Sequence, residues 1–389
     1  MRRSEERILV THVGSLPRGG TLNDLLIRSE LGEGVDRAEL DAEVERRVGH
    51  VFGKQRELGI DICNDGEQGR VGFQTYVAQR MSGFGGQSNR PRPRDMAEFP
   101  DYGKLLAERF PRRGKQFNAP QAIAEVRYRD TAAIDAEVDR LSRVARAAGR
   151  SPADCFMTAP SPGIIASTLL NAYYPSHADY VFALAREMRT EYAAITRAGF
   201  ILQIDAPDLA MDRTIGFQDK SEAEFIAACE TIVAAINTAI EGLPREQIRL
   251  HCCWGNWEGP HTHDIPLTSV LPVLEQAAVG ALSVEFGNPR HQHEYEVLRR
   301  RKLPDRLMLV AGVIDTTTNF VEHPEVVAKR LGEIVGAVGD RERVVASTDC
   351  GFGTFAGREW VAEDVVWAKL QALRAGADIA SARLWGKAH

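Results

Sequence analysis

The sequence has no apolar run that approaches the roughly 20 residues needed to span a membrane. Its first residues, MRRSEERILV, carry charge but no long apolar segment, so they do not predict a secretory signal. Cysteine is scarce, with 6 in 389 residues, which is too few for a disulfide scaffold and predicts reduced thiols in the cytoplasm. Basic residues are outnumbered by acidic ones, 48 to 54, and the net charge is −6. We therefore expect no nucleic-acid partner and no membrane association.

Composition and patterning predict a single α/β domain over residues 1–389. Hydrophobic residues make up 44% and charged residues 26%, as in globular proteins with a full core. Eight short apolar runs predict strands: Ile8–Val13, Ile60–Asn64, Cys155–Thr158, Phe200–Ile204, Ile248–Cys253, Ala281–Phe286, Leu307–Val313 and Val344–Ser347. Amphipathic helices are predicted between them: Arg37–Leu58, Ala178–Ala198, Ser221–Ile240, Leu267–Val279, Pro324–Val338 and Glu363–Ala375.

Strands that alternate with helices indicate a parallel sheet, and eight such units predict a closed (β/α)8 TIM barrel. An open doubly wound sheet is the alternative, but no G-x-G-x-x-G follows the first strand. A long insertion follows the second strand, and its least regular part is the Gly-, Pro- and Arg-rich stretch Ser82–Pro120. This excursion, about 70–150 in all, is either a flexible surface loop or a lid over a site.

Seven of the eight predicted strands end in polar or ionisable residues. In a (β/α)8 barrel the carboxyl ends of the strands build the site, so these residues are expected around one mouth. They are Gly14 and Ser15, Asp65 and Glu67, Asp205, His251 and Cys253, Glu285, Asp315, and Asp349 and Cys350.

The segment His251-Cys252-Cys253 is the most informative of these. Side chains at i and i+2 of a strand face the same way, so His251 and Cys253 both face the mouth. With Glu285 and Cys350 they offer the nitrogen, sulfur and oxygen ligands that Zn2+ takes. Each residue alone is as well explained by packing or hydrogen bonding, but four of them at strand ends favour a zinc site. A closed structural zinc site is the less favoured alternative.

Seven short segments are spread over nearly the whole chain: THVGSLPR (Thr11–Arg18), NDGEQGR (Asn64–Arg70), LQIDAPDL (Leu202–Leu209), HCCWGN, VEFGN, GVID and TDCGFGT. Together, and in this order, they resemble the catalytic domain of the cobalamin-independent methionine synthase family. The resemblance implies a catalytic zinc ion held by His251, Cys253, Glu285 and Cys350. It also implies that Gly14 and Ser15 hold a substrate carboxylate. Glu67 and Asp205 would then hold the ammonium group of an amino acid such as homocysteine.

The implied reaction is methylation of a thiol that zinc activates as a thiolate. The methyl donor would be 5-methyltetrahydrofolate, methylcobalamin or a small methyl compound. Asp315 would orient a proton donor, and Trp254 would form a wall or stack on the donor. The family has a His two residues after this Asp, where this chain has Thr317. The proton donor is therefore missing or comes from elsewhere, with His12 and His323 as candidates.

Other interpretations stay open at this point. The epoxyalkane:coenzyme M transferases are similar single-barrel proteins that alkylate a different thiol. A decarboxylase of the uroporphyrinogen type, or a non-catalytic thiol- or metal-binding module, leaves more residues unexplained. Asp65 and Asp205 are also consistent with turn or cap residues. The H-x-H pairs at 261–263 and 291–293 are consistent with a second metal site. That interpretation is disfavoured because neither pair lies on a clear strand. Homo-oligomer formation is left open.

Overall fold

The computed structural model describes residues 1–110 and 119–386, and its centre is a parallel sheet that curls into a barrel. The strands are β1 (Leu9–Val10), β2 (Met81–Gly85), β3 (Gln121–Tyr128), β4 (Phe156–Pro160), β5 (Ile201–Asp205), β6 (Ile248–Cys252), β7 (Ala281–Glu285), β8 (Met308–Ile314) and β9 (Val344–Thr348). Seven of them form one parallel sheet in the order β1-β9-β8-β7-β6-β5-β4.

The helices are α1 (Gly20–Leu31), α2 (Arg37–Glu57), α3 (Val77–Arg80), α4 (Arg94–Glu98), α5 (Pro100–Arg109), α6 (Ala132–Ala147), α7 (Pro162–Thr168), α8 (His177–Arg197), α9 (Glu222–Ala239), α10 (Leu267–Leu274), α11 (Glu296–Arg300), α12 (Pro324–Val338) and α13 (Glu363–Trp385). Among the described residues, none of the helices combines the length and the apolar character that a membrane crossing requires.

Residues 60–64 lie between β1 and β4 and close the ring as its eighth stave. On one side, two backbone amides of this stave donate to the carbonyl of Val10, at 2.9 and 3.2 Å. On the other side, a single parallel bridge joins Cys63 to Cys155. The predicted (β/α)8 fold is therefore confirmed, although this stave is held by far fewer hydrogen bonds than a full strand.

The barrel interior below the mouth contains a buried arginine. Arg249, on β6, is fully buried, donates to Gln203 Oε1 at 2.7 Å, and stacks on Phe156 at 3.9 Å from the ring centroid. The strands are otherwise mainly apolar, as expected where helices cover a parallel sheet, although buried Ser283 and Ser347 add further polar groups. All seven residues of β8, for example, are buried.

The ends of the predicted helices agree with the structure to within one residue, except at the carboxyl ends of α10 and α13. The last helix continues to Trp385 instead of ending at Ala375. Gly376 does not end it, because it lies where α13 packs against α12, and a Cβ there would collide with Val327. By contrast, α10 contains Pro272 and ends at Leu274, five residues before the predicted end.

The insertion that follows the stave at residues 60–64 has more regular structure than expected. In place of an irregular stretch, β2 and β3 pair as an antiparallel hairpin. The segment of chain that connects these two strands contains α4 and α5. Residues 111–118 of the stretch Ser82–Pro120 lie outside the described residues. The hairpin was missed because its first strand, MSGFG, is rich in glycine and its pairing partner is distant in the sequence.

A buried ion network fastens the insertion to the barrel. Arg70 and Arg80 both pair with Glu137 of α6, and Arg80 also pairs with Glu191 of α8. Arg70 also donates to the carbonyl and the hydroxyl of Thr158 in β4, at 2.8 and 3.0 Å. The insertion is thereby connected to a strand that borders the mouth.

Candidate functional site

A pocket opens at the carboxyl ends of the barrel strands, where the sequence places the site. Its floor carries polar and ionisable side chains: Ser15, Glu67, Asp205, His251, Cys253 and Cys350. Its walls are mainly apolar and aromatic: Phe73, Met96, Leu106, Met211, Ile215, Trp257, Phe355 and Trp360. A polar floor beneath apolar walls is the usual arrangement of a small-molecule site.

Three of the four predicted metal ligands meet on this floor. Ligand atoms of His251, Cys253 and Cys350 all lie within 4.8 Å of one another, and all three side chains are buried. Cys350 Sγ is 3.8 Å from His251 Nε2, although the two residues are 99 positions apart in the sequence. Cys252, between two of these ligands, packs into the hydrophobic core, as strand alternation requires.

The chemistry of these three side chains fits a divalent cation of borderline softness. A hydrogen bond from Cys350, together with nearby His251, holds the pKa of Cys253 well below its usual range. The same hydrogen bond, together with burial, raises the pKa of Cys350. His251 Nδ1 is buried without a hydrogen-bond partner among the residues that the structure describes. Two sulfurs and an imidazole nitrogen form a donor set typical of Zn2+ and its chemical neighbours.

Glu285, the fourth predicted ligand, lies beside this group but not within it. Its Oε1 accepts a hydrogen bond from the backbone N–H of Trp254 at 3.1 Å and is 3.9 Å from His291 Nε2. The carboxylate is not among the ligand atoms that meet within 4.8 Å. The structure therefore brings three predicted ligands together and places the fourth next to them.

Two carboxylates on the floor have no cationic partner at hydrogen-bond distance among residues 1–110 and 119–386. Glu67 Oε1 accepts from Thr158 Oγ1 at 2.9 Å, while Oε2 is buried with no partner in the described parts of the chain. Asp205 accepts from Gln203 at 2.7 Å. Burial raises the pKa of Glu67, and burial raises the pKa of Asp205 to about 7. A cation placed between them would favour the ionised form of both.

The backbone beneath these carboxylates is unusual at two positions. Glu67 has φ 55°, in the left-handed region that residues with a Cβ rarely adopt. Gly14 has φ 145°, and a Cβ there would lie 2.8 Å from Glu67 Oε1. Ser15, the next residue, lines the floor, and its Oγ accepts from the amide of Gly353 at 3.3 Å. Backbone strain of this kind is concentrated at functional sites.

Four predicted site residues, Gly14, Trp254, Glu285 and Asp315, are not among the residues that line the pocket, and Trp254 and Asp315 make contacts elsewhere. Trp254 is 1% exposed, and its indole stacks on His291 with 4.0 Å between ring centroids. Trp257 faces the pocket instead. Asp315 accepts hydrogen bonds from the backbone and the hydroxyl of Thr317, at 2.8 and 2.9 Å. In this structure Asp315 thus fixes the turn after β8.

The two candidate proton donors also lie away from the pocket lining. His12 is bonded through Nε2 to Gln55 at 2.9 Å, and burial lowers its pKa to about 4. His323 caps α12 by accepting from the amide of Glu325. The structure offers neither as a group that faces a substrate on the floor.

A hydrogen-bonded cluster behind Glu285 was not predicted as part of the site. The ring nitrogens of His291 contact Glu294 Oε2 and Asp264 Oδ2, each at 2.9 Å. Asp264 also contacts His261 Nδ1 at 2.9 Å. Burial lowers the pKa of His291, but its hydrogen bonds to these carboxylates outweigh burial and raise the pKa to about 10. The signal in the sequence was an acidic residue three positions after His261 and three positions after His291.

The H-x-H pairs therefore do not build a second metal site in this structure. The histidines at 261 and 291 are paired with carboxylates, and His263 pairs with Glu98 at 2.7 Å. Across residues 1–110 and 119–386, no second group of His, Cys, Asp and Glu ligands meets closely enough to hold an ion.

Arginine side chains lie among the apolar walls of the mouth. Arg90, Arg92 and Arg358 all line the pocket. Arg90 donates to Ser167 Oγ at 3.0 Å and is 3.9 Å from Asp212. The pocket is thus acidic at the floor and basic toward the mouth.

This chain is similar in sequence and in fold to known proteins. The family model described as cobalamin-independent synthase, catalytic domain, matches residues 133–372. A methionine synthase of Sulfolobus acidocaldarius is 23% identical over 342 residues, which are 88% of this chain and 84% of that protein. A 2-hydroxypropyl-CoM lyase of Xanthobacter autotrophicus is 24% identical over 375 residues, covering 89% and 88%.

Among solved structures, a B12-independent methionine synthase from Shewanella sp. W3-18-1 in complex with selenomethionine has a similar fold. The TM-score is 0.71 at 21% identity, and 98% of this chain and 99% of that chain are covered. These matches confirm the resemblance drawn from the seven sequence segments. Because the family model covers more than half of the sequence, the chain belongs to the family of cobalamin-independent synthase catalytic domains.

Proposed function

We propose that this protein is a zinc-dependent thiol S-methyltransferase similar to methionine synthase, with homocysteine or a similar amino-acid thiol as acceptor. One observation carries the proposal. His251, Cys253 and Cys350 meet within 4.8 Å on the floor of the pocket that also contains Glu67 and Asp205. A thiol bound beside these ligands would have its sulfur at the metal and its ammonium group at the carboxylates.

The metal would be held by His251, Cys253 and Cys350, with Glu285 adjacent. When bound there, Zn2+ acts as a Lewis acid that keeps a coordinating sulfur deprotonated at neutral pH. A hydrogen bond from Cys350 and the nearby His251 lower the pKa of Cys253, which favours the ionised form of this sulfur ligand. Two protein sulfurs as ligands leave an added thiolate electron-rich, and that favours attack on an alkyl carbon.

The acceptor would be oriented by its two charged groups. Glu67 and Asp205 would accept charge-assisted hydrogen bonds from the ammonium group, which would satisfy the unpartnered Glu67 Oε2. Ser15 and the backbone at Gly14 would meet the carboxylate. These contacts fix where the sulfur lies, and such positioning supplies a large part of catalysis in bimolecular reactions.

The methyl donor would lie in the apolar part of the pocket, between Trp257, Phe355 and Trp360. The acceptor sulfur attacks the methyl carbon, so a carbon–sulfur bond forms as the bond to the donor breaks. The electron pair of the broken bond stays on the donor, and the proton of the thiol ends on the released donor. Activity measured with a panel of methyl donors that includes 5-methyltetrahydrofolate would identify the donor.

Residues 1–389 would form a single domain in which the insertion covers the pocket. Met96 and Leu106 of the insertion line the pocket. Asp95 accepts from the amide and the hydroxyl of Thr262, at 3.0 and 2.7 Å, in the loop that follows β6. The insertion therefore contacts the loop that carries a metal ligand, as a lid over a reaction sensitive to water would.

A second candidate is transfer of an alkyl group to a sulfonate thiol such as coenzyme M. The relative named 2-hydroxypropyl-CoM lyase and the arginines at 90, 92 and 358 favour it. The buried carboxylates at 67 and 205 favour an amino-acid thiol instead, because a sulfonate thiol has no ammonium group to neutralise them. Thiol titration of the metal-containing protein separates the two.

The test is metal analysis of wild type beside Cys253→Ala and Cys350→Ser. Cys252→Ala is the matched control, because this neighbouring thiol packs into the core. We expect about one zinc ion per chain in wild type and control, and none in the two ligand variants. Full zinc occupancy in both ligand variants would refute the proposal. Homocysteine and coenzyme M are then titrated into the metal-containing wild type.

A further inference from the structure

Gln203 lies on β5 beneath the pocket floor, and its side chain is fully buried. It is two residues before Asp205, so strand alternation turns both side chains to the same face of β5. Gln203 Nε2 donates to Asp205 Oδ1 at 2.7 Å and also to the carbonyl of Val13, in the segment that follows β1. One amide group thus joins two parts of the floor that are far apart in the sequence.

The orientation of this amide is fixed by Arg249, which is the register partner of Gln203 on β6. Arg249 Nε donates to Gln203 Oε1 at 2.7 Å. A guanidinium has donors only, so the oxygen of the amide must face Arg249 and the NH2 group must face away from it. Arg249 also donates to the carbonyl of His12 at 2.9 Å, one residue before Val13. The two hydrogens of the NH2 group are therefore both used, one for Val13 and one for Asp205.

The hydrogen bond to Val13 also decides where the next amide points. Across a trans peptide the C=O and the N–H point in opposite directions, so the N–H of Gly14 faces away from Gln203. Among the residues that the structure describes, the amides of Gly14 and Ser15 have no acceptor. The Gly14 donor is thereby left for a ligand in the pocket, which Val13 and Ser15 both line.

Gln203 consequently sets the spacing between the two groups that would hold the acceptor. Asp205 is a proposed partner of the ammonium group, and the backbone at Gly14 is a proposed partner of the carboxylate. In an α-amino acid these two charged groups are attached to one carbon, so both contacts form together only at one spacing. A buried side chain that holds both partners supplies this spacing before the ligand binds.

We propose that Gln203 is a positioning residue that makes the pocket selective for α-amino-acid thiols, because it keeps Asp205 and the Gly14 amide at the spacing of one ammonium and one carboxylate group. The inference rests on the proposed function, since it requires an amino-acid thiol as acceptor. A thiol with only one of the two charged groups contacts only one of the two partners. Its affinity therefore does not depend on the spacing.

The experiment uses the whole chain with Co2+ in place of Zn2+, because the visible spectrum of Co2+ reports a sulfur that joins its ligands. Three thiols are titrated: homocysteine, 4-mercaptobutanoate, which lacks the ammonium group, and 3-aminopropane-1-thiol, which lacks the carboxylate. They are compared in wild type, Gln203→Met and Tyr180→Phe. Tyr180→Phe is the matched control, because the Tyr180 hydroxyl is also buried and donates to a backbone carbonyl, that of Leu169, at 2.6 Å.

In Gln203→Met the dissociation constant of homocysteine should rise by about tenfold or more, the usual effect of losing one hydrogen bond to a charged group. The dissociation constants of the two thiols with a single charge should change by less than about threefold. The protein should still bind one Co2+ per chain. Tyr180→Phe should bind all three thiols as wild type does.

A second variant tests the same idea where Gln203→Met does not fold. Gln203→Glu keeps an acceptor for Arg249, but at neutral pH it has no donor for Val13 or Asp205. Homocysteine should again bind about tenfold more weakly or worse than in wild type.

The inference is overturned if homocysteine binds a folded Gln203 variant within twofold of wild type. Equal weakening of all three thiols in Gln203→Met, or a selective loss of homocysteine in Tyr180→Phe, also overturns it, because either result indicates a general structural effect. A wild-type Co2+ spectrum that responds to none of the three thiols refutes the proposed function itself, and the inference with it.

Discussion

Replacing Glu67 by Gln removes one negative charge from the pocket floor while keeping the shape of the side chain. An amide oxygen in the Oε1 position still accepts from Thr158 Oγ1, so the local fold is preserved. The unpartnered Oε2 is replaced by an NH2 group, which cannot accept a hydrogen bond from an ammonium group. The variant therefore tests recognition of the acceptor without changing a metal ligand.

The expected loss is one charge-assisted hydrogen bond in a buried place, about 1.5–3 kcal/mol. This corresponds to an increase of about 10- to 150-fold in the dissociation constant of homocysteine. 4-Mercaptobutanoate is homocysteine without its ammonium group, so its affinity should change by less than about threefold between wild type and variant. The difference between the two thiols isolates the ammonium contact from any general disturbance.

The assay is a titration of each thiol into Co2+-containing wild type and Glu67→Gln, with thermal unfolding measured in parallel. Equal weakening for both thiols would show that Glu67 supports the site rather than binding the ammonium group. Unchanged homocysteine affinity in a folded variant would refute the assignment of the floor carboxylates altogether.

Two further predictions concern stability. Glu137→Gln leaves Arg70 and Arg80 without their shared buried partner and should lower the free energy of unfolding by about 3–5 kcal/mol, measured by urea denaturation. These arginines lower the pKa of Glu137 to about 2 against the cost of burial, so its ion pairs stabilise the fold above about pH 4.5 and are lost as the pH falls toward 2. Stability of the variant should accordingly change less than that of wild type between about pH 5 and pH 3, and parallel pH curves would contradict this. Gly14→Ala should cost about 1–3 kcal/mol because φ is 145° and a Cβ crowds the floor. Gly53→Ala, on an open face of α2, is the control that should be neutral or stabilising.

The meeting of His251, Cys253 and Cys350, the candidate metal ligands, could be predicted because it follows from strand periodicity. Alternation along β6 places His251 and Cys253 on one side and Cys252 on the other, and the carboxyl end of every strand faces one mouth. Cys350 could be placed at that mouth from its strand alone. The precise distance between side chains from different strands depends on how the sheet curls, which no local pattern encodes.

The predictions that failed or stayed incomplete depend on contacts between distant segments. Trp254 directly follows Cys253 in the sequence, but its indole stacks on His291 instead of facing the pocket. The hairpin of β2 and β3 depends on pairing across about 40 residues, so a glycine-rich strand could not be recognised alone. The hydrogen bond between His291 and Asp264 joins two loops that a motif search does not connect. Long-range packing decided each of these outcomes.

The eighth stave, residues 60–64, has a consequence for how acceptor preference can vary in this barrel. It has the fewest backbone bonds in the ring, since one bridge joins it to the β4 side and two amides join it to Val10. Glu67 follows directly from it, whereas the sulfur and imidazole ligands are attached to β6 and β9, which are bonded along their length. Amide exchange should therefore be fastest at this seam. Substitutions there would shift the proposed ammonium contact at Glu67 and leave the candidate metal ligands in place.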